Sequence, residues 1–196
     1  GYKKFSVKSN AEAKIGKKLT ATLNMSYQYT DQDAYANQRD AISRGLSATP
    51  TQITYFEDGT PAQGYNNTSQ TPIYYTYYSD NTDVRQYLTL NGGLKLDILP
   101  GWTANVTGSM FNLLTDQTTF LRANMYDSSR PATSYHSSTM RLKMDAYTQY
   151  QHTWADSHNF NAMVGYSYQN RMFKSMEATG SGGSSDKIST INASSL

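Results

Sequence analysis

Residues 19–30 alternate strictly between apolar and polar side chains. Leu19, Leu23 and Tyr27 fall on one side of this alternation, and Thr20 falls on the other. A period of two places successive side chains on opposite faces of an extended strand, whereas a helix needs a period of 3.6. The segment is therefore predicted to be a β-strand with one apolar face and one polar face.

Five further segments show the same alternation with some interruptions, which predicts six strands in all. The strands are expected near residues 5–15, 19–30, 84–99, 102–114, 140–152 and 158–172. Strands of globular proteins commonly have about 5–6 residues, and a tilted strand that crosses a membrane needs about 9–11. All six segments are longer than the first value, which favours an all-β fold, a portion of an antiparallel transmembrane β-barrel. A soluble antiparallel sandwich, whose strands also alternate, is the alternative.

The connections between the predicted strands are alternately short and long. Short turns join the strands into three hairpins at residues 16–18, 99–101 and 155–157. Long segments lie near residues 31–83, 115–139 and 173–196. Outer-membrane barrels combine short periplasmic turns with long extracellular loops in this way. The pattern therefore predicts a multi-pass β-barrel in a bacterial outer membrane.

The two faces of the predicted strands carry different residues, as a barrel wall requires. Aromatic rings are enriched at both membrane interfaces, and charges on the lipid face are costly. The expected interface aromatics are Tyr27, Tyr29, Trp102, Trp154, Phe160, Tyr166 and Tyr168, near the strand ends. The expected lumen-facing residues are Arg85, Lys95, Asp97, Arg141 and Asp145.

The first long segment ends in a group of tyrosines that are candidate ligand-binding residues. They are Tyr74, Tyr75, Tyr77 and Tyr78. A tyrosine ring offers a flat apolar face and a hydroxyl that forms hydrogen bonds, and both suit a sugar ring or a partner protein. Packing of the loop by these rings is the alternative.

The composition excludes several other functions. The chain has no cysteine, which excludes disulfides and thiolate metal ligands, and its formal net charge of +2 gives no indication of nucleic-acid binding. The histidines and the acidic segment at residues 31–33 lack the spacing of a zinc or calcium site. No nucleophile–base pair is recognisable. We therefore expect no catalytic residues, no metal and no cofactor, and a protein that is not an enzyme.

Three stretches resemble the barrel of TonB-dependent outer-membrane transporters of the SusC type. They are FSVKSNAEAKIGKKLTATLNMSYQY at 5–29, YLTLNGGLKLDILPGWTAN at 87–105 and YTQYQHTWADSHNFNAMVGYSY at 147–168. The resemblance implies that residues 1–196 are part of such a barrel, without a plug domain, a TonB box or a closing strand. The chain begins with Gly and shows no signal peptide, which also predicts a piece of a longer protein.

The resemblance also implies partners and a cargo. Members of this family take up oligosaccharides, and in some cases peptides, together with a SusD-type surface lipoprotein and the TonB complex. Cargo is captured under the lipoprotein lid, and TonB then moves the plug, with no bond made or broken. The resemblance therefore implies an oligosaccharide importer embedded in outer-membrane lipid. Two alternatives stay open: an importer of peptides, siderophores or cofactors, and a secreted soluble β-domain that binds glycans.

Overall fold

The computed structural model describes residues 1–33, 38–62, 64, 71–124, 127–154 and 158–191. Six strands form one antiparallel sheet, and the order of the strands in the sheet is their order in the sequence. The strands are β1 (Tyr2–Ile15), β2 (Leu19–Asp33), β3 (Ser79–Leu99), β4 (Trp102–Leu121), β5 (Ala132–Trp154) and β6 (His158–Gly180). The predicted all-β arrangement of six long strands is confirmed. Across the described residues the sheet is open, with β1 and β6 at its edges.

Two helices lie between β2 and β3. They are α1 (Gln38–Ser47) and α2 (Pro72–Tyr77), and α2 contacts both α1 and β3. Within the described residues, no helix has the length and apolar character needed to cross a membrane. Both helices therefore belong to the connection that joins the first hairpin to the second.

The short connections all lie at one end of the sheet, which we call the turn end. They join β1 to β2, β3 to β4, and β5 to β6, at residues 16–18, 100–101 and 155–157. The predicted short turn at 155–157 itself falls outside the described residues. The opposite end, where the longer connections lie, is the loop end.

Four strands extend well beyond their predicted bounds at the loop end. β3 begins at Ser79 and β4 ends at Leu121, while β5 begins at Ala132 and β6 ends at Gly180. The connections predicted at 31–83 and 115–139 are correspondingly shorter, at 34–78 and 122–131, and the last one starts after residue 180. Polar residues occupy both faces of these extensions, so the alternation fades. The backbone ladder continues because its hydrogen bonds do not depend on side-chain polarity.

The register assigns each side chain to one of two faces, because paired residues lie on the same face. The apolar face contains the row Ala13, Ala21, Leu94, Val106, Ala146 and Tyr166, one residue from each strand. The polar face contains the neighbouring row Glu12, Thr22, Gly93, Thr107, Asp145 and Ser167. The period of two in the sequence is thus preserved across all six strands in this part of the sheet.

The apolar face is not covered by other parts of the described chain. Leu94 and Val106 lie on the central strands β3 and β4, yet they are 51% and 44% exposed. The buried hydrophobic residues among those described are Ala62, Phe120 and Ala132, none of which lies in the middle of the sheet. A contiguous apolar surface of this kind marks contact with another protein or with lipid.

Candidate functional site

Two cavities open on the polar face of the sheet. A cavity of ≈ 570 Å³ is lined on this face by residues of β1, β2, β3 and β4, including Glu12, Thr20, Lys95 and Asn105. A second cavity of ≈ 220 Å³ on the same face includes Lys143 of β5. Both cavities are therefore lined mainly by polar residues that neighbouring strands place side by side.

All five predicted lumen residues lie on the polar face. Arg85, Lys95 and Asp97 are at odd-numbered positions of β3, and Arg141 and Asp145 are at odd-numbered positions of β5. Lys95 Nζ lies 3.5 Å from a carboxylate oxygen of Asp97, and both side chains are about half exposed. The structure brings these residues to one wet surface but does not gather them into one cluster.

Arg85 is held by the most buried carboxylate of this surface, that of Asp83. The carboxylate accepts hydrogen bonds from Arg85 Nε at 2.9 Å and Nη2 at 2.6 Å, from Gln117 Nε2 at 3.1 Å and from Gln32 Nε2 at 3.4 Å. Only 4% of the Asp83 side chain is exposed. The positive charge of Arg85 thus compensates the buried negative charge of Asp83 within the sheet.

Asp145 is also paired within the polar face. It lies 2.8 Å from Lys143 Nζ and accepts a hydrogen bond from Ser167 Oγ at 2.5 Å. These contacts join β5 to β6 through side chains in addition to the backbone ladder. The carboxylate is therefore already engaged on both sides.

The seven predicted interface aromatics all lie on the apolar face. Those nearest the turn end form a group with their neighbours: the ring centroids of Trp154 and Phe160 are 5.8 Å apart, and those of Tyr150 and Phe160 are 6.4 Å apart. Trp102 Nε1 donates a hydrogen bond to Thr148 Oγ1 at 2.8 Å. These rings are exposed on the apolar face.

Two of the aromatics do not stand where the sequence predicted. Tyr166 and Tyr168 were expected near the loop end of their strand, but β6 continues to Gly180 and leaves both near its middle. The alternation that fixed the predicted end of β6 stops before the strand does. Tyr27 and Tyr29 lie closer to the loop end of β2, where Tyr27 donates a hydrogen bond from its hydroxyl to Gln86 Oε1 at 3.3 Å.

A separate pocket at the loop end contains two of the four candidate tyrosines. It has a volume of ≈ 610 Å³, and its lining includes Tyr77, Tyr78, Asp80, Arg122 and Asp186. We call it the loop-end pocket. The rings of Tyr77 and Tyr78 meet edge to face, with centroids 5.0 Å apart. The side chains of Tyr74 and Tyr75 lie outside the described residues, so their predicted role is untested.

Arg122 organises one wall of the loop-end pocket. Its Nε and Nη2 donate to the two carboxylate oxygens of Asp80 at 2.9 and 2.8 Å, and its guanidinium carbon lies 5.8 Å from the centre of the Tyr77 ring. A two-point pair of this kind fixes the guanidinium plane. The wall therefore combines an aromatic ring with an oriented ion pair.

Asp186 joins two loop segments at the other wall. Its carboxylate accepts the backbone N–H of Ala123 at 2.9 Å and Arg130 Nε at 2.6 Å. The Ala123 hydrogen bond, followed by that of Arg130, holds the pKa of Asp186 below its ordinary value. Arg130 adopts φ of 48°, a left-handed conformation that is uncommon for a residue with a side chain. The contacts to Asp186 stabilise that conformation.

Sequence reasoning missed the charged residues of the loop-end pocket. Asp80, Arg122 and Asp186 come from three distant parts of the chain. No spacing or periodicity links them, because they meet only where the ends of β3 and β4 approach the segment that follows β6. The described residues contain no group of three or more potential metal-binding side chains.

No family model and no curated protein matches this chain. Solved structures do match. The chain is similar to the RagAB peptide transporter, with a TM-score of 0.81 and 16% sequence identity over all of this chain and 23% of that one. It is also similar to the RagAB peptide importer in its closed-closed state, with a TM-score of 0.77 and 16% identity over all of this chain and 24% of that one.

The chain is also similar to the RagAB peptide importer in its open-open state, with a TM-score of 0.74 and 16% identity over all of this chain and 23% of that one. The chain thus spans about a quarter of the length of the proteins it matches. At this identity the similarity is one of fold. The six-stranded sheet described above is the fold that these transporters share with the chain.

Proposed function

We propose that this chain forms part of the wall of a SusC-type, TonB-dependent β-barrel importer in a bacterial outer membrane. The observation that carries the proposal is the contrast between the two faces of the sheet: the polar face carries the charged residues and both strand-lined cavities, and the apolar face is uncovered by the described chain. A barrel that spans lipid needs this arrangement, whereas a soluble sandwich buries its apolar face against a second sheet. The fold shared with peptide transporters supports the same assignment.

In this assignment the turn end of the sheet faces the periplasm and the loop end faces the outside of the cell. Residues 1–196 supply six strands of the barrel, and other parts of the protein supply the plug, the TonB box and the remaining strands. A SusD-type lipoprotein would cover the loop end. The chain contributes binding and containment of cargo rather than the chemistry of an enzyme.

Peptide is our first candidate for the cargo. The matching solved structures are those of a peptide transporter, and nothing in the described loop-end pocket contradicts a peptide. Its wall offers an oriented ion pair, Asp80 with Arg122, and a peptide carries both hydrogen-bond donors and acceptors along its backbone. Oligosaccharide, which the sequence resemblance implied, is the second candidate, favoured by the edge-to-face rings of Tyr77 and Tyr78.

Uptake measurements test the location and the cargo together. Cells that carry the intact protein, and cells from which its gene is deleted, are given fluorescent oligopeptides and fluorescent oligosaccharides of similar mass. Uptake of peptides that depends on both the gene and TonB is the expected result. Equal uptake by both strains for every cargo would overturn the proposal.

A variant of the loop-end pocket separates the two cargo classes. Tyr77→Ala removes a ring face that a sugar would stack on, so loss of oligosaccharide uptake with unchanged peptide uptake would favour the second candidate. Ile42→Ala serves as the matched control, since Ile42 is 65% exposed on α1 and does not line the pocket.

A further inference from the structure

Two arginines lie directly opposite each other on the polar face. Arg141 of β5 is paired with Arg171 of β6 in the strand register, and both side chains are exposed. Like charges that are directly opposite on an antiparallel pair destabilise it. The sheet therefore keeps an unfavourable pair at this position.

Neither guanidinium forms an ion pair with a carboxylate of the described residues. Asp145, on the same strand and face as Arg141, is four residues away, which is about 13 Å along a strand. Asp145 is already held by Lys143 and Ser167. Glu177, on the same strand and face as Arg171, is about 20 Å away by the same measure. Among the described residues, the two positive charges thus have no carboxylate partner on the polar face.

Aromatic and apolar side chains surround the two arginines, which is unusual for the polar face. The Arg141 guanidinium carbon lies 4.5 Å from the centre of the Phe111 ring, its neighbour on β4. The next row toward the loop end contains Tyr87, Leu113 and Phe173 on the same face. Phe173 is 56% exposed. The exposed ring of Phe173 and the half-buried ring of Phe111, beside two cations without a carboxylate partner among the described residues, fit a ligand that carries an anion next to apolar groups.

We propose that Arg141 and Arg171 bind a carboxylate of a peptide cargo, and that Phe111, Leu113 and Phe173 contact its apolar side chains. We call this group the arginine site. Guanidinium groups bind carboxylates through two parallel hydrogen bonds, and a carboxylate between two of them would remove the like-charge repulsion. The site selects acidic peptides, or peptides with a free C-terminus, over neutral ones. It deepens the proposed function and rests on it.

The test compares two peptides on the intact transporter, purified with its lipoprotein. The peptides have the same sequence, with Glu residues and a free C-terminus in one, and with Gln residues and a C-terminal amide in the other. In the double variant Arg141→Gln with Arg171→Gln, affinity for the acidic peptide should fall about tenfold or more, because a hydrogen bond to a charged group is lost at each arginine. Affinity for the neutral peptide should change less than about twofold.

A matched control removes the same charge from the same face. Lys4 and Lys8 lie on the polar face of β1, and Lys8 is in the same row of the register as Arg141 and Arg171. Lys4→Gln with Lys8→Gln should leave both affinities unchanged if the site is specific. Arg141→Lys with Arg171→Lys should restore part of the preference, because it keeps the charge but not the two-point geometry.

Three results would overturn the arginine site. One is an equal loss for both peptides, together with a lower unfolding temperature, which would mean that the arginines brace a segment of the same protein. A second is an equal effect of the lysine control, which would mean that only net charge matters. The third is unchanged preference in the double variant. If the wild type binds neither peptide, the proposed peptide function fails first, and this outcome is distinguishable from the other three.

Discussion

Arg85 and Asp83 lie two positions apart on β3 and are joined by two hydrogen bonds, from Nε and Nη2 of the arginine to the two carboxylate oxygens. Side chains two residues apart on a strand lie on the same face, so this ion pair forms within β3 and not between two strands. Gln32 and Gln117 reach the same carboxylate from β2 and β4. The Asp83 carboxylate therefore links three strands in the part of the sheet where the apolar pattern has ended.

Replacement of this carboxylate should weaken the loop end of the sheet. Asp83→Asn leaves Arg85 without an anion and removes an acceptor from two glutamines, for which we expect a loss of about 1–3 kcal/mol. The expected loss of stability is small because Arg85 is 41% exposed, so water solvates its charge after the carboxylate is removed. The loss of folded barrel with temperature, followed by the mobility shift of unboiled samples on gels, measures the effect.

Asp97→Asn is the control for that measurement. Asp97 pairs with Lys95 on the same strand and at the same spacing, but both side chains are about half exposed. An exposed pair contributes about 0–1 kcal/mol. Similar shifts for the two variants would contradict the role given to the buried carboxylate.

The two faces of β2 should respond differently to a charge. Leu23 is on the apolar face and 56% exposed, and Asn24 is on the polar face, paired with Asn91. An arginine in the middle of a lipid-facing strand costs about 2–4 kcal/mol, whereas lumen positions tolerate it. Leu23→Arg should therefore reduce the amount of protein assembled in the outer membrane far more than Asn24→Arg, as measured by immunoblots of membrane fractions. Equal reductions would argue for a soluble fold.

The sequence predicts the middle of each strand well for a physical reason. Where one face of a strand is apolar and the other meets water, the demands on successive residues are opposite, and the alternation at 19–30 follows from this. Beyond the apolar band, the two faces of a strand no longer differ clearly in polarity. Residues 79–83 and 173–180 therefore carry no strict alternation that would predict the continuation of β3 and β6. The ladder there is fixed by neighbouring strands.

The candidate sites show the same division. The faces of Lys95 and Arg141 follow from counting along the strands, whereas the pairing of Arg141 with Arg171 depends on the register between β5 and β6. Register is set by the connection between the two strands, which lies far from either arginine along the chain. Local patterns therefore predict which side a residue faces, and only the structure shows which residue it meets.

The second short turn should not accept a side chain at Gly101. Its φ is 79°, and a Cβ atom added there would lie 2.1 Å from the backbone oxygen of Gln151 on β5. The two backbones approach closely because Gln151 N–H donates to Gly101 O at 2.7 Å. Gly101→Ala must displace one of the two strands, so we expect slower assembly and a lower unfolding temperature.

Gly16→Ala is the matched control for the turn. Gly16 has a similar φ of 66°, and a Cβ atom there would meet nothing within 4 Å. It should cost only the conformational penalty of about 1–2 kcal/mol for a left-handed residue with a side chain. A larger effect at Gly16 than at Gly101 would mean that the close approach to Gln151 is unimportant.

Low pH should release the contact between the last described segment and the loop that follows β4. The pKa of Asp186 is held below its ordinary value by the Ala123 N–H and by Arg130. A lowered pKa in the folded state means that the stabilisation is present at neutral pH and is lost as the pH falls below about 4, through the folded pKa. Ser189 is exposed and lies three residues after Asp186, in a chain without native cysteine. A spin label on Ser189→Cys should therefore become more mobile over that range of pH.

The control for the pH response separates Asp186 from a second acid in the same loop. In Asp186→Asn the label should already be mobile at neutral pH and should not respond further. Asp127 also has a lowered pKa, caused first by the Ser129 hydroxyl and then by the Ser129 N–H. If the pH response survives in Asp186→Asn but vanishes in Asp127→Asn, the turn at 127–129 is the titrating element and the assignment to Asp186 is wrong.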